Sequence, residues 1–227
     1  KHLMQPNTRA INHLTVTTIG LKECIEKVSE ASQFNNRHGQ LPLGRGIGIA
    51  CSAYLTGAGL PIYWNKMPHS GVQMKIDRGG GVTVFCGSTD IGQGSDSVLA
   101  TIVAEEFAID PEQVIVVTAD TDLTPVDLGS YSSRVTLMTG NAAIEACRPL
   151  KEKLFSAAAE VFQCTSESLT LSEGRVVSLR DTSKTVDFAE AVQWAEAKFG
   201  TLGSVGSYTP PRRGGKFKGA GGGPSPN

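Results

Sequence analysis

Apolar positions along the chain change period several times, and each change predicts an element. Leu21 to Ser32 places Leu21, Ile25 and Val28 on one helical face, and Phe34 to Gly39 then reads as a polar turn. Gly46 to Leu55 predicts a buried strand, against the weakening effect of its glycines. Gly71 to Asp77 alternates as a half-buried strand does, Arg78-Gly79-Gly80-Gly81 turns, and Val82 to Cys86 pairs back as a hairpin. Val98, Leu99, Ile102, Val103 and Phe107 fall at helical spacing until Asp110-Pro111. Gln113 to Thr118, with Val114-Ile115-Val116-Val117, predicts a fully buried strand.

The second half begins with a long helix. Ala143, Cys147, Leu150, Leu154, Ala158 and Val161 share its face, and Pro149 predicts a kink near Arg148. A hairpin about Glu173-Gly174 joins Leu169-Thr170-Leu171 to Val176 through Leu179. Asp187 is the expected N-cap of a helix to Lys198, which buries Phe188, Ala191, Val192 and Ala195. Leu202 to Tyr208 predicts a final strand, closed by Pro210-Pro211. The fold class is α+β, with mixed sheets and strand–turn–helix units.

Two of those units are built alike. Val82 to Cys86 runs into Asp90-Ile91-Gly92-Gln93-Gly94-Ser95 before a helix, and Val114 to Thr118 runs through Gly129-Ser130-Tyr131-Ser132-Ser133-Arg134 before the next. A helix N-terminus exposes unpaired amide donors and the positive end of the helix dipole. Glycine permits close backbone approach and serine adds hydroxyls, a combination that holds phosphate or another anionic group. Capping alone explains either turn equally well. Gln93 stands apart, since its amide donates and accepts together, which suits an oxygen ligand or a pterin edge. By themselves Tyr131 reads equally as packing and Arg134 as a surface charge.

Composition narrows the partners. The 227 residues carry 21 Lys and Arg against 22 Asp and Glu, so a net charge of -1 gives no attraction to nucleic acid or to an anionic membrane. No apolar run reaches the length of a membrane span, and no signal-peptide pattern opens the chain. Cys24, Cys51, Cys86, Cys147 and Cys164 are scattered and odd in number, which argues for reduced thiols in a cytoplasmic protein and against iron–sulfur or structural zinc sites. P-loop, dinucleotide and nucleophile-elbow spacings are missing from both strand–helix junctions. Lys1 in place of an initiator Met, and the closing Gly219-Ala220-Gly221-Gly222-Gly223, lead us to expect a piece of a longer polypeptide.

With Gly140-Asn141-Ala142 and Leu43-Gly44-Arg45-Gly46-Ile47-Gly48-Ile49-Ala50, the two turns resemble the molybdenum-binding large subunit of the xanthine dehydrogenase/aldehyde oxidase family, most nearly the α subunit of 4-hydroxybenzoyl-CoA reductase. The motifs stand in the family's order, from about Leu21 to Tyr208. The resemblance implies a lead-in over 1–42, a partial molybdopterin-binding domain over 43–209 and a Pro/Gly-rich tail over 210–227. It implies a molybdenum–molybdopterin cofactor, in some members a cytosine dinucleotide, with no protein side chain on the metal. Gln93 then sits near the metal's oxygen and the pterin, with Gly92, Gly94 and Ser95 beside it. Ser130, Tyr131, Ser132, Ser133 and Arg134 wrap the pterin and its phosphate.

Departures from the family matter as well. Its upstream glycine- and phenylalanine-rich loop and its catalytic glutamate in a Gly-Glu turn are both missing from these residues. No catalytic residue is therefore assigned. The expected partners are the rest of the subunit, iron–sulfur and flavin (FAD) subunits or domains, and a small aromatic, aldehyde or aryl-CoA substrate. The alternative is a binding or scaffold domain that keeps the fold without redox chemistry.

Overall fold

The computed structural model describes residues 3–9, 15–52 and 70–210. A two-residue antiparallel pair, β1 (Thr8–Arg9) with β2 (Thr15–Val16), precedes α1 (Leu21–Ala31) and the single turn α2 (Phe34–Arg37). The sequence places α1 correctly, but the expected polar turn is partly helical. The predicted strand at Gly46–Leu55 does not form: residues 46–52 are irregular, and 53–55 lie outside the described residues. Its glycines supply no side chains to pack, and Leu43 just before it is 106% exposed.

The remaining elements are β3 (Ser70–Ile76), β4 (Val82–Cys86), α3 (Ser95–Phe107), β5 (Val114–Thr118), α4 (Val135–Phe162), β6 (Leu169–Ser172), β7 (Arg175–Ser178), β8 (Thr185–Asp187), α5 (Phe188–Phe199) and β9 (Gly203–Tyr208). One sheet has the order β5-β4-β3-β9 and a second the order β6-β7-β8. In the first, β3 pairs antiparallel with both β4 and β9, while β4 and β5 run parallel. That parallel pair is joined through α3, as a parallel connection requires a crossover.

Alternation decides which sheet face is buried. Val72, Met74, Ile76, Val82, Val84 and Cys86 form one apolar core with Leu99, Val103 and Phe107 of α3 and the inner face of α4. Ala143, Cys147, Leu150, Leu154 and Ala158 of α4 are buried as the spacing predicts. Val161 instead faces solvent at 54% exposure, and Phe162, one full i+4 step beyond Ala158, takes its place. The helix continues through Pro149 to Phe162. Burial pushes the Cys147 thiol up to about 12.

Backbone approach is closest where β9 crosses α4. A Cβ at Gly206 would lie 2.1 Å from the Ala142 carbonyl oxygen and 2.5 Å from the Ala146 nitrogen. Beside it the Ser204 hydroxyl donates to the Ala146 carbonyl at 2.7 Å.

Two further expectations are corrected. β5 is an edge strand rather than a fully buried one, with Val114 buried and Ile115 62% exposed. Asp187 occupies the N-cap position of α5, but its side chain pairs with Arg175 at 3.0 Å and makes no capping bond. The third strand of the small sheet, β8, is too short for its alternation to be seen in sequence. Among the described residues no helix is long and apolar enough to cross a membrane.

Candidate functional site

Parallel pairing of β4 with β5 puts Cys86 opposite Thr118, so the two chain segments leave the sheet side by side at the carboxyl ends of their strands. In open α/β sheets ligands bind in the crevice beyond those ends. Here the two turns face one another across a cleft of about 380 Å³. Gln93, Ser95, Ser130, Tyr131, Ser132, Ser133 and Arg134 all line it, with Ile91, Val98, Val135 and Thr136. Gly92 and Gly94 do not. Their φ angles of +97° and +79° are the reason glycine stands at these positions.

The first turn is held from within. The Asp90 carboxylate accepts from the amides of Gly92 at 2.8 Å, Gly94 at 3.4 Å and Asp96 at 3.3 Å. Those bonds, from Gly92 first and then Asp96, hold its carboxyl below the ordinary carboxylate value. Amide donors before α3 are thus partly taken by a carboxylate of the chain itself. Gln93 is braced in the same turn: its Oε1 accepts from the Ile91 amide at 2.6 Å, and its Nε2 donates to Ser95 Oγ at 3.0 Å and to the Thr89 carbonyl at 3.3 Å.

Ser130 ties the turns together. Its hydroxyl donates to the Thr89 carbonyl at 2.6 Å and accepts from the Thr89 amide at 3.0 Å. Ser132 and Ser133 both adopt left-handed backbone, with φ of 52° and 51°. Consecutive non-glycine residues in that region are strained, and such strain gathers at ligand sites.

Arg134 is no surface charge. Its side chain is 0% exposed and pairs at 2.6 Å with Asp127, which is 1% exposed. The same nitrogen donates to the Gly129 carbonyl at 2.7 Å, and Nη2 donates to Ser70 Oγ at 3.1 Å. Asp127 also accepts from the Gly129 amide at 2.8 Å and from the Ser70 hydroxyl. One buried ion pair thereby joins the start of β3, the second turn and the first residue before α4. Sequence reasoning passed over both Asp127 and Asp90. An Asp two residues before a glycine turn is the signal that would have found each, since its carboxylate can accept the turn's own amides.

Unlike the first turn, the second leaves its helix without an internal carboxylate. The N-cap residue of α4, Arg134, makes no side-chain capping bond, and the first turn of the helix contains no acidic residue. The N-terminus of this 28-residue helix, with Val135 and Thr136 in the cleft wall, offers the positive end of its dipole to the cleft. No group of three or more metal-binding side chains occurs among the described residues.

The chain is similar to known proteins over most of its length. The family model described as "Molybdopterin cofactor-binding domain" matches residues 22–226. The chain is 32% identical over 168 residues to the xanthine dehydrogenase molybdenum-binding subunit of Escherichia coli O157:H7, covering 71% of this chain and 22% of that protein. It is 38% identical over 131 residues to the 6-hydroxypseudooxynicotine dehydrogenase complex subunit gamma of Paenarthrobacter nicotinovorans, covering 58% of this chain and 16% of that one. The CO dehydrogenase structure from Oligotropha carboxidovorans superposes with a TM-score of 0.66 at 25% identity, over 85% of this chain and 26% of that one. The chain therefore spans only part of such relatives, 16% of the 6-hydroxypseudooxynicotine dehydrogenase subunit, 22% of the E. coli protein and 26% of the CO dehydrogenase chain. On the family match, which covers nearly all of its length, the chain belongs to the molybdopterin cofactor-binding domain family of the xanthine dehydrogenase and CO dehydrogenase large subunits.

Proposed function

We propose that this chain forms one wall of the cofactor site of a molybdenum-dependent oxidoreductase, with Gln93, Ser95 and the Ser130–Arg134 turn facing a molybdopterin. The carrying observation is the N-terminus of α4, which has no acidic residue in its first turn and whose Val135 and Thr136 stand in the cleft that these side chains line. The donor set fits the group. Hydroxyls of Ser95, Ser132 and Ser133 and the helix dipole suit a phosphate, and Gln93, whose Nε2 hydrogens are engaged within the turn, keeps an Oε1 lone pair for a donor on a pterin edge. When bound, the molybdenum–pterin group supplies the two-electron chemistry, while the protein positions and tunes it.

In this reading Gln93 and Ser95 present hydrogen-bonding groups from the α3 side. Ser132 and Ser133 approach from the α4 side on a strained backbone. Arg134 acts from behind, holding the second turn rather than touching the cofactor. Gly92 and Gly94 shape the first turn. Domain boundaries follow the same reading, with a lead-in over 1–42, the cofactor wall over 43–209 and a tail over 210–227.

The parent enzyme either hydroxylates an aromatic or aldehyde carbon or removes a phenolic hydroxyl from an aryl-CoA, as in the 4-hydroxybenzoyl-CoA reductases its motifs resemble. A cytosine dinucleotide form of the cofactor, iron–sulfur and flavin partners and a cytoplasmic location belong to the same proposal. Subunit partners are supported by relatives named as a complex subunit gamma and as a large chain.

Thr136→Glu in the full-length enzyme tests the site. Thr136 is exposed in the first turn of α4. A carboxylate there favours the helix by about 0.3–1 kcal/mol but repels an anionic ligand. Molybdenum and pterin content per subunit should fall about tenfold while the unfolding midpoint of the cofactor-free protein holds or rises. Full molybdenum content in the variant would show that the anion lies elsewhere.

A further inference from the structure

Among the described residues α3 and α4 pack on one face of the four-stranded sheet, and on the other Pro125 lies over Gly71 at one end of β3. This other face bears the outward positions of all four strands, and the registers align them in two rows. Val117 of β5, Phe85 of β4, Gln73 of β3 and Val205 of β9 form one row, because Phe85 pairs with Val117 and Gln73, and Gln73 with Val205. Ile115 and Lys75 stand in the neighbouring row, with Thr83 between them. Ile115 is 62% and Val205 71% exposed. Gln73, Lys75, Phe85 and Val205 line a shallow groove of about 400 Å³.

An antiparallel sheet often leaves one face to solvent, but that face is then polar, and parallel strands such as β4 and β5 are ordinarily covered on both sides. Here the solvent-side positions of β5 are Ile115 and Val117, and that of β9 at its centre is Val205. Lys75 bears the only charge among the outward positions of the four strands, with its ammonium 6.0 Å from the centre of the Phe85 ring. Among the described residues no carboxylate stands at an outward position within these strands, and Asp77, just past β3, accepts from the Gly79 and Gly81 amides of its own turn.

We infer that this face is a docking surface, and that its occupant is another segment of the same subunit, apolar and carrying a carboxylate placed over Lys75. The inference rests on the reading of the chain as one part of a longer molybdenum subunit. Relatives supply the length: this chain spans 22% of the E. coli subunit, so most of such a polypeptide lies beyond the matched part and has surfaces of its own to bury. Charge chooses between occupants. A second copy docked about a two-fold axis would bring Lys75 towards its own symmetry mate with no acid at the outward strand positions of either copy, whereas an acidic apolar segment neutralises it.

Carbodiimide cross-linking of the full-length enzyme, read by peptide mass spectrometry, tests this. Lys75 should link to an Asp or Glu outside residues 1–227 of the same polypeptide. Its acylation rate in the native enzyme should be about tenfold below its rate in the urea-unfolded protein. Native acylation at the unfolded rate would overturn the inference. So would a Lys75 link to a different subunit, or one joining isotopically mixed copies. Molybdenum content in the same preparation reports separately on the cofactor reading: a loaded enzyme with fully reactive Lys75 refutes the docking surface alone.

Discussion

Replacing Arg134 by Ala separates a buried brace from a ligand-facing cation. Arg134 and Asp127 are 0% and 1% exposed, so truncation leaves the Asp127 carboxylate buried with only the Gly129 amide and neighbouring hydroxyls as partners. Breaking a buried ion pair from one side costs about 3–5 kcal/mol, because the remaining charge keeps its desolvation penalty and loses its partner. For a chain of this size, each kcal/mol moves the melting temperature by about 2–4 °C, so Tm should fall by roughly 6–20 °C. Arg148 supplies an internal control. It pairs with Glu145 at 2.8 Å, but the side chains are 60% and 42% exposed, and Arg148→Ala should cost at most about 1 kcal/mol. Urea unfolding of the cofactor-free protein measures both. Asp127→Ala and the double variant complete a cycle, which should show strong coupling between the two side chains. A cost below about 1 kcal/mol for Arg134→Ala, no larger than that of Arg148→Ala, would refute the bracing role.

Two other outcomes follow from packing and hydrogen bonding. Gly206→Ala should destabilise by about 1–3 kcal/mol or more in denaturant unfolding, because its Cβ would press on the α4 backbone and no side-chain rotation relieves that. Asp90→Ala should speed hydrogen exchange at the Gly92 and Gly94 amides at neutral pH. Since the folded carboxyl titrates below its ordinary 3.8, the stabilisation is fully present above 3.8. It fades as pH falls through the lower folded value, so unmodified and variant proteins should converge there. A pH-independent difference in exchange would mean that charge on Asp90 contributes nothing.

How far the site was legible depended on the range of the interactions. Both turns could be found because glycine and serine between an apolar strand and an apolar-periodic helix are local signals, and their φ angles confirm the need at Gly92 and Gly94. The buried bracing of Arg134, read in sequence equally as a surface charge or a ligand contact, was out of view because its partners are distant or inconspicuous: Ser70 lies 64 positions away, and Asp127 sits in a polar loop. The braced Gln93 was equally out of view, since its three bonds form only once the turn has closed.

Periodicity alone determined β3, β4, α3, α4 and α5, because each buries one face and alternation or a 3.6-residue repeat records that face in the sequence, whereas β9 turns Ser204 and Gly206 inward and Val205 outward. The same rule failed at residues 46–52, where an apolar-and-glycine run has too few side chains to pack. It also failed to show β5 as an edge, since strand order is a property of pairing and not of composition. Only the tertiary structure decided that β4 and β5 run in parallel, and this brings two turns some forty residues apart, as Thr89 and Ser130 are, to either side of one cleft. Only it decided that one turn satisfies its own helix amides through Asp90, while the carboxylate of the other, Asp127, is taken up by Arg134 and the Gly129 amide. Chemistry could be listed from the residues; which donors still face a ligand depended on where the folded chain had spent the rest.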